Sequence, residues 1–207
     1  MVVQSESQTL DGSGNPVSSR VASDPFQSAD RGLVVVVANP NPQTYSAGIT
    51  NLSIPANPSD VFTITGSAGK TIRVNRIIAS GIATSDANVL LQLIKRSSAN
   101  SGGTATTLTA VPHDVANGVA AATVRAYTVN PTVGTAVGTL RTGRVAVGSA
   151  SPSSASPTAS KQVELFSVSG RGQAIVLRGA TEVLAVNMNA VTLTGGSMSF
   201  WIEWTEE

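Results

Sequence analysis

His113 is the only histidine in the chain, and beside it Asp114 gives the one place where an imidazole base adjoins a carboxylate. A pair of that kind could activate a serine, provided the base reaches the hydroxyl and an acid orients the ring. Neighbouring side chains on extended backbone point to opposite faces, so the two cannot work as a unit on a strand. No Gly-x-Ser-x-Gly turn supplies the nucleophile. His113 follows Pro112 and reads as a loop residue.

Two glycine-rich stretches imitate phosphate-binding loops. Gly66-Ser67-Ala68-Gly69-Lys70-Thr71 matches the end of a P-loop, whose backbone amides cradle phosphate at the start of a helix. The pattern needs a glycine where Ile64 stands, and Ile72 to Ile78 alternates like a strand, so a hairpin turn with a solvated Lys70 is expected. Gly170-Arg171-Gly172-Gln173-Ala174-Ile175 opens like the dinucleotide fingerprint, but Ile175 occupies the final glycine position and no βαβ pattern surrounds it. Asp60, Asp86, Asp114, Glu164 and Glu182 stand alone in sequence, without the clustering of a calcium loop. Any glycosidase-like carboxylate pair would have to come from these isolated residues. Asn51-Leu52-Ser53 has the form of a glycosylation sequon.

Composition points the same way. Asp, Glu, Lys and Arg make up 12% of the 207 residues, against roughly 25% in an average protein. Catalysis needs converging groups that move protons, attack carbon or hold metals, and Ser, Thr, Ala, Val and Gly fill the positions instead. The sequence therefore predicts no enzyme, no cofactor and no metal. A net charge of +1, thinly spread, gives no footprint for nucleic acid. The absence of Cys excludes a disulfide framework and fits a reducing cytoplasm. Met1 to Leu10 has neither the basic start nor the apolar stretch of a signal peptide, and no apolar run nears the roughly 18 residues of a membrane span.

The positioning elements are strands. Aromatic residues are only 4% of the chain, so the core must be built from Val, Ile, Leu and Ala, of which the β-branched members favour pleated sheet. Residues 1–32 are polar and aperiodic and read as an extended arm. Leu33 to Val37 reads as a short buried strand, and Asn39-Pro40-Asn41-Pro42 breaks it. Residues 1–57 thus form an arm with short strands, and residues 58–207 a β-sandwich domain. Within it Phe62 and Ile64 alternate with threonines, and Ile72, Val74 and Ile78 alternate with polar or small residues. Val89, Leu91 and Leu93 line one face of a strand whose other face carries Leu90 and Ile94 and should be covered too. Further runs lie at 106–111, 121–130, 139–147, 161–168, 174–177, 182–187 and 197–205. Eight or more strands at this spacing predict an all-β, antiparallel two-sheet sandwich, jelly-roll-like, with an extended N-terminal arm. Ser97 to Thr104 and the Ser/Pro-rich 149–160 read as spacer loops.

The final run separates into two faces. Met198, Phe200, Ile202 and Trp204 share one, which is core; Trp201 falls on the other, where an indole is costly to leave in water and is expected either to meet another chain or to pack under a loop or the arm. Trp201, with Phe26 and Tyr45 nearer the arm, forms the set of candidate partner contacts. A surface of short side chains loses little rotamer entropy when covered and favours self-assembly.

The run Arg125-Ala126-Tyr127-Thr128-Val129-Asn130-Pro131-Thr132, the segment 174–189 (AIVLRGATEVLAVNMN) and the ending Trp201-Ile202-Glu203-Trp204-Thr205-Glu206-Glu207 resemble small structural proteins of tailed bacteriophages, with the likeness spanning about residues 58–207. The resemblance implies a virion component with a β-sandwich. We expect a capsid decoration or cement protein, a homotrimer whose arm clamps neighbouring subunits of the major capsid protein. It would sit on the outer surface of the head after assembly in the host cytoplasm. The alternative is a neck, tail or head-fibre component that recognises a host surface. Neither nucleic acid nor membrane is an expected partner.

Overall fold

The computed structural model describes residues 9–10, 16–17, 42–148, 162–168 and 172–207. The arm beyond its short strands, Phe26, the 33–37 run and the 149–160 segment lie outside the described residues. Two short strands, β1 (Thr9–Leu10) and β2 (Pro16–Val17), pair antiparallel within an N-terminal unit that ends at Ala38. The second unit, from Asn39 onward, is all-β: two antiparallel sheets packed face to face.

Among the described residues twelve strands build it: β3 (Gln43–Ser53), β4 (Asp60–Thr65), β5 (Ile72–Ile82), β6 (Ala87–Arg96), β7 (Thr104–Leu108), β8 (Val111–Pro112), β9 (Thr123–Val129), β10 (Ala136–Val147), β11 (Val163–Ser167), β12 (Ile175–Leu177), β13 (Val183–Asn187) and β14 (Ser197–Glu206). One sheet runs β10-β6-β13-β4-β9-β7; the other runs β11-β5-β14-β3-β8, with β12 also on β5. Pairing is nested. β3 lies beside β14, β4 beside β13, β5 beside β11 and β12, and β6 beside β10, with successive pairs in alternate sheets. Strands β7 to β9 are an excursion between β6 and β10 that widens both sheets beside β4 and β3.

Alternation in sequence explains the packing. Phe62 and Ile64 of β4 and Leu184 and Val186 of β13 face Phe200, Ile202 and Ile77 of the other sheet within a single buried cluster. Phe62 and Phe200 stack across the sandwich with centroids 5.2 Å apart. Burying one such side chain contributes about 1.5–3 kcal/mol, so a core poor in aromatics rests on many aliphatic contacts of this size. Leu90 and Ile94 on the opposite face of β6 are partly covered.

The first described strand of the sandwich starts at Gln43, ahead of residue 58. Strand β3, read from sequence as part of the arm region, pairs with β14 from Gln43↔Glu206 to Ser53↔Ser197. Its pattern is obscured because only Tyr45, Ala47 and Leu52 are buried, and a bulge near Asn51, at φ 56°, breaks the period of two.

Candidate functional site

Two surface features emerge, a braced loop and a polar cleft. The loop is residues 113–122, between β8 and β9. Its first turn closes on Asp114, whose carboxylate accepts from the Ala116 amide at 2.9 Å and whose carbonyl accepts from the Asn117 amide. Asp114 is therefore spent on a turn, and His113 donates its backbone amide to the Thr44 carbonyl. The far end of the loop rests on Glu206. This buried carboxylate accepts from the amides of Ala121 (2.9 Å) and Ala122 (3.0 Å) and from the Trp204 indole nitrogen (3.0 Å). Lys70 lies 3.5 Å from it. Tyr45 stacks on Trp204 and donates its hydroxyl to the Gly118 carbonyl at 3.0 Å. Burial, and then the negative charge of Glu206, push the Tyr45 phenol above its ordinary range. The brace holds Val115 and Val119 outward at 95% and 97% exposure.

The cleft lies on the face of the first sheet turned away from the core and encloses about 410 Å³. Thr63 and Thr65 of β4 face it, and so do Thr123, Arg125 and Tyr127 of β9, because residues two apart on a strand share a face. Register sets them in rows: Thr63 opposite Arg125 and Thr65 opposite Thr123. Ser67 and Ala68 close one end, and Ala99 and Asn100 overhang it. Arg125 is exposed and makes no hydrogen bond or ion pair among the described residues, whereas Thr63 (2% exposed) and Tyr127 (3%) are buried with hydroxyls that likewise have no described partner.

The overhang is held by a buried polar cluster. Arg96 forks onto Asp60, whose carboxylate also accepts from Asn187 and Asn100, each at 2.8 Å. Arg96 donates further to the Gly134 carbonyl, and the Gly134 amide donates to the Asn100 side chain. A side chain at Gly134 would meet the Ser98 carbonyl oxygen at 2.0 Å. The 97–104 segment, read from sequence as a spacer, is thus stitched to residues 132–135, including paired bonds between Ser101 and Thr132.

The sequence candidates fare differently. Tyr45 is fully buried and cannot meet a partner; its aromatic ring fills the core against Trp204, and this corrects the reading of it as a contact. Trp201 is partly exposed on the outer face of its sheet, opposite Gly48 and Ile78, and a side chain at Gly48 would come within 3.3 Å of its indole. Glycine there gives the indole room over the neighbouring strand. Phe26 lies outside the described residues. The Gly66–Thr71 loop leads into strand β5 and crosses between sheets, so it is not the hairpin turn expected, and Lys70 is engaged by Gln43 and Glu206 and is not simply solvated. Ile175 opens β12, while Gly170 and Arg171 lie outside the described residues. Among the described residues no group of three or more His, Cys, Asp or Glu could hold a metal ion, and no helix is long and apolar enough to cross a membrane.

Sequence reasoning did not single out the cleft. Its signal was a polar face on two strands, Thr63/Thr65 and Thr123/Arg125/Tyr127, readable only once β4 and β9 are known to be neighbours. Comparison of the chain with protein-family models, curated proteins and solved structures finds no match.

Proposed function

We propose that this chain is a structural protein of a phage virion, a capsid decoration or cement protein that stabilises the head by bridging subunits of the major capsid protein. The observation that carries the docking role is the braced loop. Two aliphatic side chains stand almost wholly in water on a loop anchored from below by Glu206 and Tyr45. Covering each would contribute about 1.5–3 kcal/mol with little ordering of the backbone. Further apolar exposure at Val137 and Leu140 of edge strand β10 suits self-association as a homotrimer. The resemblance of 125–132, 174–189 and 201–207 to phage structural proteins supplies the particle, with the outer head surface as location. The nested pairing of β3/β14, β4/β13, β5/β11 and β6/β10 is the order a jelly roll gives when a long hairpin is wrapped over two sheets, and we read the sandwich as one. The role is mechanical and not catalytic, and many equivalent weak contacts add through effective concentration.

Quantifying the chain in purified particles tests this. A copy number proportional to the major capsid protein, and a loss of binding in Val115→Ser/Val119→Ser with unchanged melting, are expected. A few copies confined to one vertex would favour the second reading, a neck, tail or head-fibre component that recognises a host surface, which the polar cleft supports. Absence from particles overturns both.

A further inference from the structure

The cleft beside Arg125 has the chemistry of a ligand site, and it does so wherever in a particle the chain sits. Among the described residues, Arg125 is the only charged one lining it. The carboxylates next to its described lining are all engaged: Asp60 by Arg96, Asn100 and Asn187, Glu206 by the Ala121 and Ala122 amides and the Trp204 indole, and Glu182 by Lys95 and the Arg178 amide. A guanidinium without a described partner therefore faces a space into which no described carboxylate is free to reach. Guanidinium groups bind carboxylates through two parallel bonds, and such charge-assisted pairs are stronger than neutral ones.

The rest of the lining is hydroxyl and methyl. Directly paired residues on antiparallel strands stand about 5 Å apart, and residues two along a strand about 7 Å apart. Thr63, Thr65 and Thr123 with Arg125 therefore form a grid of polar groups that a single sugar ring can span. Ala68, Ala99, Ala121 and Ala180 leave flat apolar wall between them. The volume, about 410 Å³, falls at the small end of ligand sites, which run roughly 300–1,000 Å³. Thr63 and Tyr127 add the independent sign. Both line the cleft with hydroxyls that have no described partner, and a ligand rich in hydroxyls can pair with both.

We propose that this cleft binds an acidic sugar, its carboxylate on Arg125 and its hydroxyls on Thr63, Thr65, Thr123 and Tyr127. A bare phosphate fits less well. Phosphate sites gather several cations or converging backbone amides, and here the nearest lysine of the adjoining loop, Lys70, is held by Gln43 and Glu206.

Titration of the isotope-labelled full chain, followed by amide shifts, tests the assignment with four probes: sodium glucuronate, N-acetylneuraminate, glucose and inorganic phosphate. At least one acidic sugar should give saturable shifts at Thr63, Thr65 and 123–127, with glucose about tenfold weaker or more, equivalent to about 1.4 kcal/mol. Arg125→Gln should reduce the acidic sugar to the level of glucose while the melting temperature stays put, because Arg125 has no described partner to lose. Thr123→Ala, a second variant, should weaken both sugars. Shifts from phosphate as strong as those from the acidic sugars would reduce the cleft to a general anion site and overturn the sugar assignment. Equal binding of glucose would remove the role of the carboxylate. No localised shift with any probe up to about 50 mM, a limit well below useful affinity, would overturn the site altogether.

Discussion

Arg96 holds Asp60 through two parallel hydrogen bonds, Nε to Oδ2 at 2.6 Å and Nη2 to Oδ1 at 2.7 Å, and both side chains are buried. The pair joins β4 to β6 although β13 lies between them, and through Gly134 and Asn100 it also fixes the overhang of the cleft. Each carboxylate oxygen of Asp60 has two donors, so its negative charge sits in a satisfied setting.

Removing one partner leaves the other charged, buried and unmatched. Asp60→Ala should cost about 3–5 kcal/mol, and replacing both, Asp60→Leu with Arg96→Met, should cost clearly less than the single change. Urea denaturation of the single and double variants measures the difference; a double variant no more stable than Asp60→Ala would contradict it.

Glu206 is the support of the 113–122 loop. Hydrogen bonds to a charged group contribute about 1.5–3 kcal/mol, and Glu206→Ala strands the amides of Ala121 and Ala122 and the Trp204 nitrogen. Hydrogen exchange at Ala121 and Ala122 should accelerate more than at β5. Uniform acceleration throughout the sandwich would instead mean that the loop and the core open together.

Alkaline pH should weaken the fold through Tyr45. Its phenol is raised above 10.0 by burial and by Glu206, so the neutral form is favoured in the folded state. The stability it contributes is intact below the unfolded value and is lost as pH rises through the folded one. Tyr45→Phe should lose about 1 kcal/mol at neutral pH, from the bond to Gly118, and show a flatter alkaline limb in melting temperature against pH.

The acid limb carries a smaller contribution from Glu182. Burial alone would raise its carboxyl, but the Arg178 amide, the Lys95 ammonium at 3.2 Å and the charges of Lys95 and Arg178 outweigh that and hold it below 4.5. Ionised Glu182 thus stabilises the fold above the unfolded value, and the gain is lost as pH falls through the folded one. Because the pair is partly exposed, the effect stays under about 1 kcal/mol. Glu182→Gln should shift the urea midpoint at pH 6 and leave it nearly unchanged at pH 3.

Most strands from β4 onward were legible because their apolar residues alternate and turn residues separate them; 139–147 and 197–205 fall within β10 and β14, whereas the run at 106–111 merged the end of β7 with the start of the short β8. Strand β3 was not, since Gly48, the Asn51 bulge and its small polar residues hide the period. Trp201 was correctly assigned to the outer face, from its parity with Ser199 and Glu203. Tyr45 was misread because nothing in the local sequence reveals that Trp204 and Gly118 will meet it. The cleft shares that difficulty: Thr63 and Arg125 become neighbours only through strand pairing across a long stretch of chain.

Strand β14 is the middle of its sheet, flanked by β3 and β5, yet it follows every other strand of the sandwich in the chain. While the polypeptide is still emerging from the ribosome, β3 and β5 each expose an unsatisfied edge to bare solvent, with no closer in hand. Rapid completion would then depend on a delayed, long-range zipping step. Interrupted synthesis would release sticky half-sandwiches prone to clumping, which makes chaperone capture during translation a concern peculiar to this wrapping order.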